Sequence, residues 1–299
     1  MVSKESDFLR ALYQEWSDRM AANPGMTLLD LRALFDEWEK PTFEPEDVSY
    51  KTDRIGGVDG IWAHPAGCDE RKVVIYTHGG GFAVGSSASH RKLAGHLAKA
   101  MGVSAFVVDY RRAPEHPFPA QLEDAVSVYK ALMGSGIKPE NISTAGDSAG
   151  GNLAVASVLK FRDLNLPLPG AVIALSPWLD MELAGSTLAS NEATDALVSR
   201  SVLEAMRGMF LGENGKPDDP QANPLKNNFA GYPPLYMTAG SAETLLDDAV
   251  RLNDLAKAAS VNTTLSIVAG MQHVFPFLAG RAPEADAQIA KIGAWYKAL

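Results

Sequence analysis

The 299-residue sequence predicts an α/β fold, a largely parallel sheet with helices on both faces. Three observations carry this expectation. Short β-branched runs such as Lys72-Val73-Val74-Ile75-Tyr76-Thr77 have the continuous apolar character of strands buried on both faces. Such runs alternate with stretches of helical periodicity about 10–16 residues long, the rhythm of strand–helix–strand units. No internal repeat or low-complexity linker interrupts the chain, so residues 1–299 read as a single domain.

Residues 1 to about 40 form two amphipathic helices. Phe8, Leu9, Leu12, Tyr13 and Trp16 make one apolar stripe, and Leu28, Leu31, Leu34, Phe35 and Trp38 make the second. Asn23-Pro24-Gly25 is the turn between them, and Pro41 and Pro45 close the second helix. Strands follow at 48–52, 61–63 and 72–77, then a helix at about 88–101 and a strand at 104–108. A helix at about 120–133 precedes a short strand at 142–145, a helix from Ser148 and a strand at 171–175. Residues 181–230 break the rhythm. With the N-terminal helices they read as a cap, in which Trp16, Met206, Met209 and Phe210 either line a cavity or pack the cap onto the body. The rhythm resumes with a strand at 235–239, a helix at about 244–259, a strand at 264–268 and a last helix at about 284–298. Strand 264–268, if it lies at an open edge, would permit a homodimer by strand pairing.

Composition excludes several function classes. The 27 Lys and Arg against 36 Asp and Glu give 27 − 36 = −9, a poor match to phosphate backbones, so no nucleic-acid partner is expected. One cysteine, Cys68, cannot make an intrachain disulfide or a four-cysteine zinc module. No stretch approaches the length of a membrane span, and the charged start Lys4-Glu5-Ser6-Asp7 lacks the apolar run of a signal peptide. A soluble, cytoplasmic protein is expected.

Two glycine motifs carry chemistry. Gly146-Asp147-Ser148-Ala149-Gly150 fits Gly-x-Ser-x-Gly between a strand and a helix. A serine at that corner is held in a strained turn with room only for small neighbours, its hydroxyl presented above the sheet. The plain alternative is a helix N-cap. His78-Gly79-Gly80-Gly81 follows the strand 72–77. Its Gly80 and Gly81 amides, with that of Ala149, are suited to hold the oxyanion of a tetrahedral intermediate. A phosphate loop would need Gly-Lys-Ser/Thr, and a dinucleotide fingerprint from Gly79 would need glycine where Val84 stands. His78 and Gly79 read as braces of this loop, with Asp147 as a further supporting residue.

An attacking serine needs a base, and the base needs an orienting acid. Of six histidines, His64, His90, His96 and His116 read as surface or turn residues. His273 lies in a loop after the last strand, at the carboxyl edge where parallel sheets place function, and is the candidate base. The acid should fall between Ser148 and His273 in chain order. Glu243 is preferred because it sits directly after strand 235–239. Asp247 stays open as the alternative, although it matches the third residue of a capping box begun by Thr244.

These motifs, with Asp109-Tyr110-Arg111-Arg112-Ala113-Pro114 and Ser176-Pro177-Trp178, resemble the hormone-sensitive-lipase branch of α/β-hydrolases, the bacterial family IV esterases, over roughly residues 45–299. The resemblance implies an α/β-hydrolase fold with an eight-stranded, mostly parallel sheet and a helical cap. It implies hydrolysis of short- or medium-chain carboxylic esters through an acyl-enzyme without metal or organic cofactor. It places the nucleophile at Ser148, the base at His273 and the oxyanion amides at Gly80, Gly81 and Ala149. Most members have Asp-Pro-Leu at the acid position, where this chain has Glu243-Thr244-Leu245. The Glu-x-Leu-Leu-Asp-Asp form also resembles a subset that includes monoterpene lactone hydrolases, so a lactone is the rival substrate. Amidase or formamidase activity is a further alternative, as is a non-catalytic receptor. The plant gibberellin receptors of similar sequence lack the histidine that His273 supplies here.

Overall fold

The structure is a computed structural model and describes residues 2–299. Among these residues, eight strands form one sheet in the order β1-β2-β4-β3-β5-β6-β7-β8. Strands β1 (Val48–Ile55) and β2 (Val58–Pro65) form an antiparallel hairpin, and β2 also runs antiparallel to β4 (Val103–Val108). The remaining strands are parallel: β3 (Asp69–Thr77), β5 (Ile142–Asp147), β6 (Ala171–Leu175), β7 (Leu235–Gly240) and β8 (Thr263–Val268). Every residue of β4, β5, β6 and β7 is buried. Since successive side chains point to opposite faces, both faces of this central region are covered.

The helices lie close to their expected places. They are α1 (Asp7–Ala22), α2 (Leu28–Phe35), α3 (Ser87–Met101), α4 (Ala120–Gly134), α5 (Ala149–Asp163), α6 (Thr187–Ser190), α7 (Arg200–Leu211), α8 (Leu246–Ala258) and α9 (Pro283–Lys297). The hairpin strands run longer than the 48–52 and 61–63 expected. The added residues Asp53 and Arg54 of β1 are exposed and polar, and those of β2 mix buried Val58, Gly60 and Pro65 with exposed Asp59, so no regular apolar alternation marks them. The capping box expected at Thr244 and Asp247 does not form. Helix α8 starts at Leu246 without a side-chain cap, and the Thr244 hydroxyl donates to Asp195 instead. The Asp247 amide, which such a box would direct to Thr244, donates instead to the Thr187 hydroxyl at 2.9 Å, so a tertiary partner has replaced the local one.

The N-terminal helices seat on the body through aromatic rings. Trp16 meets Phe35 and Trp38 edge-on, both at 5.5 Å, and Trp38 stacks on Phe277 at 5.8 Å. In the 181–230 segment, α7 buries Leu203, Met206, Phe210 and Leu211 along one face. Each such side chain contributes about 1.5–3 kcal/mol relative to exposure. Phe210 stacks on Phe82 at 3.8 Å, so α7 presses directly on the glycine loop that follows β3.

Candidate active site

Ser148 occupies the tight turn between β5 and α5. Its backbone sits at φ 52° and ψ −120°, a conformation a non-glycine residue adopts only when the surroundings impose it. The surroundings are specific. A side-chain carbon on Gly146 would fall 2.3 Å from the Gly150 carbonyl oxygen, and one on Gly150 would fall 2.0 Å from that of Thr77. The Ser148 amide donates to the Leu175 carbonyl at 2.9 Å, which ties the turn to β6. The serine makes no side-chain cap to α5, so the N-cap alternative is not realised.

Ser148, His273, Gly80 and Gly81 line one cavity together with Phe35, Trp38 and Met206. Among the described residues, the Gly80, Gly81 and Ala149 amides have no protein acceptor. Three unsatisfied donors beside a serine hydroxyl make an anion-binding corner. Gly80 has φ 108°, a value that glycine adopts without strain. Of the cap residues expected to line a cavity or to pack, Met206 lines it. Trp16, Met209 and Phe210 pack against the core.

His273 is buried, and its Nδ1 lies 2.6 Å from Glu243 Oε2. Asp247 is not the partner: its carboxylate accepts from the Ser186 amide and hydroxyl. Glu243 Oε1 accepts from the Gly240 amide at 2.5 Å and from the Ser176 hydroxyl at 2.9 Å. The same Ser176 oxygen accepts from the Val274 amide at 3.0 Å, so one hydroxyl joins the acid to the chain just after the base. Burial alone would push the His273 imidazole down. The hydrogen bond and charge of Glu243, with the nearby Asp195 and Asp147 carboxylates, raise it above the ordinary histidine value instead. Burial raises the Glu243 carboxyl, against the stabilising effect of His273.

Beneath the glycine loop lies a polar network. Asp147 accepts from the Tyr76 hydroxyl at 2.7 Å and from the Gly79 amide at 3.2 Å. Burial opposes its charge, yet His90, the Tyr76 hydrogen bond and His78 hold its carboxyl below the ordinary range. His78 stacks on Tyr110 at 4.1 Å, and its Nδ1 lies 2.8 Å from the Gly79 carbonyl oxygen. Burial, then the charge of His90, pushes its imidazole down to about 4.

Three of the histidines read as surface or turn residues are not so placed. His90 is fully buried with Nε2 3.4 Å from Asp147, because the sequence could not show that a carboxylate waits on the inward face of α3. His96 is half-buried against the Phe43 carbonyl. His64 is half-buried on β2, stacked on Trp62 and 3.0 Å from the Ser104 hydroxyl. His116 lies exposed in its turn as expected. Sequence reasoning also missed Ser176 and Tyr13. Ser176 stands at the carboxyl end of a buried strand, a position that signals function. Tyr13 donates to the His273 carbonyl at 3.1 Å from 260 residues away, and no local signal marks such a pair.

A family model described as "alpha/beta hydrolase fold" matches residues 74–277. An acetyl-hydrolase of Streptomyces hygroscopicus is 37% identical over 243 residues, covering 81% of each chain. An esterase of Acinetobacter venetianus is 34% identical, covering 90% of this chain and 88% of its own. A solved structure, an esterase from the bacterial hormone-sensitive lipase family, superposes with a TM-score of 0.94 at 36% identity, over 100% of this chain and 99% of the other. Among the described residues, no helix is long and apolar enough to cross a membrane. With its Gly-x-Ser-x-Gly turn, its glycine loop and its carboxylate-bound histidine meeting at one cavity, the chain belongs to the α/β-hydrolase fold family, in the branch of the bacterial hormone-sensitive-lipase-like esterases.

Proposed function

We propose that the protein is a serine carboxylesterase in which Ser148, His273 and Glu243 form the catalytic group. The observation that carries this reading is the 2.6 Å contact between Glu243 and His273 Nδ1 on the wall of the cavity that also holds the strained Ser148. Nδ1–H donates to Glu243, which leaves Nε2 as the basic nitrogen. Ser148 Oγ attacks the ester carbonyl carbon while Nε2 takes its proton, and the carbonyl oxygen becomes an oxyanion held by the Gly80, Gly81 and Ala149 amides. Collapse expels the alcohol, which leaves with the proton from Nε2. Water then attacks the acyl-enzyme with His273 as base again, and Ser148 is regenerated as the acid departs. Glu243 holds the ring orientation and stabilises the imidazolium in both halves.

The substrate is a small neutral ester. The cavity has a volume of about 40 Å³ and apolar walls, which favours a short acyl chain over a long one. A lactone is open to the same chemistry, with the alcohol kept on the acyl chain after ring opening. We read residues 1–40 and 181–230 as one cap over a single-domain body in a cytoplasmic protein. The partly exposed edge strand β8, with Ile267 outward, is the surface we assign to a homodimer.

Two measurements test the reading. Ser148→Ala should abolish ester turnover, and an organophosphonate should label the wild-type protein at Ser148. Turnover that survives in Ser148→Ala would overturn it. A panel of acyl esters, lactones and matched amides should give its highest kcat/KM among short-chain esters.

A further inference from the structure

Residues 191–198 run from the cap across both loops that carry the acid and the base. Asn191 Nδ2 donates to the carbonyls of Ser241 and Glu243, and the Thr194 hydroxyl donates to that of Ala242. Gln272, the residue before the base, donates to the Thr194 carbonyl and accepts from the Ala196 amide. Within this segment Asp195 is the acidic side chain that both reaches out to the loop after β7 and folds back on its own segment. Its Oδ2 accepts from the Thr244 amide at 2.8 Å and the Thr244 hydroxyl at 3.0 Å. Its Oδ1 accepts from the Leu197 amide at 3.0 Å and the Val198 amide at 2.8 Å. Thr244 directly follows Glu243 and is buried. Leu197 and Val198 line the cavity.

We propose that Asp195 is a positioning residue that sets Glu243 against His273 through Thr244 and ties that setting to the cavity wall at Leu197 and Val198. The chemistry of Thr244 fits the role. A proline at 244 would offer neither an amide hydrogen nor a hydroxyl, so Thr244 gives Asp195 two donors where a proline gives none. Charge-assisted bonds of this kind are shorter and stronger than neutral ones, which suits a contact that must fix a neighbouring carboxylate. Asp195 adds a second effect through space. The charged groups facing His273 are Glu243, Asp195 and Asp147, with the Tyr13 hydroxyl on its carbonyl, and all three carboxylates favour the protonated ring.

The proposal rests on the catalytic reading of Ser148, His273 and Glu243, and the test separates the two. Asp195→Asn keeps the shape but turns an NH2 group towards one of its two sets of donors. It should lower kcat about 10- to 100-fold, the scale of a displaced catalytic group, and should also change KM because the wall relaxes. Thr244→Val removes one donor and leaves the amide. It should lower kcat a few-fold with KM unchanged. Removing the Asp195 charge should also move the acid limb of kcat/KM to lower pH, which Thr244→Val should not do. A downfield proton resonance from His273 Nδ1–H should shift in Asp195→Asn. Folded Asp195→Asn with wild-type kcat, pH profile and resonance would overturn the proposal while leaving the catalytic reading intact, provided Ser148→Ala is inactive. If Asp195→Asn does not fold, wild-type kcat in Thr244→Val overturns it. Activity retained in Ser148→Ala overturns the catalytic reading itself.

Discussion

Ser148 is held by exclusion as much as by bonding: Gly146 and Gly150 leave no volume for a side chain, and Ser148 itself sits at a strained positive φ. Ser148, the three candidate oxyanion positions and His273 could be named from the sequence because each is announced by neighbours in the chain or by its place after a strand. Glu243 was legible only as a preference over Asp247, since both follow β7 within a few residues. What separates them is direction, with Glu243 against the imidazole and Asp247 against Ser186. Glu243→Gln tests the distinction. A glutamine cannot hold the imidazolium or enforce the Nδ1–H tautomer, so kcat should fall on the order of 10³–10⁴-fold, whereas Asp247→Asn should stay near wild type. On the proposed mechanism the wild type needs neutral His273, and its raised value places the acid limb above the ordinary histidine value. A kcat/KM profile against pH measures that limb directly.

Among the elements, helices and strands were readable where burial is one-sided or complete, and misread where a tertiary partner replaced a local one. Thr244 is the clearest instance, a capping pattern in sequence and a tether to Asp195 in the fold. His90 is another: on α3 its neighbours Arg91 and Lys92 point to a solvated face, yet its ring is enclosed between Trp38, His78 and Phe277. Helix α8 carries a testable consequence of the same kind. Asp248 near its start is buried and accepts from the Leu179 and Asp180 amides at 2.7 and 2.9 Å. Burial pushes its carboxyl from 3.8 up to about 7. The folded state therefore holds a proton that the unfolded chain has already released. That contribution to stability is full below about pH 4 and is lost as pH rises through about 7. Melting midpoints measured across this window should fall with pH in the wild type, and Asp248→Asn should flatten that part of the curve.

For the molecule as a whole, the N-terminal helices are structural and not decorative. Leu9, Leu12, Tyr13, Trp16, Leu34, Phe35 and Trp38 are all buried. At about 1.5–3 kcal/mol each, their burial is of the same order as the entire stability of a domain. Deleting residues 2–40 should lower the melting midpoint by roughly 10 °C or more and raise binding of an apolar dye. It should also lower kcat, because the His273 carbonyl loses the Tyr13 hydroxyl. The sequence showed the amphipathic stripes but not their destination, since Tyr13 and Trp38 meet the His273 carbonyl and Phe277 far along the chain. That separation has a temporal side. At about 5–20 residues per second, the ribosome releases α1 some ten to fifty seconds before it has made the loop of His273. Tyr13 therefore waits 260 residues for the carbonyl it bonds. Through that interval its ring and hydroxyl are open to whatever meets the growing chain.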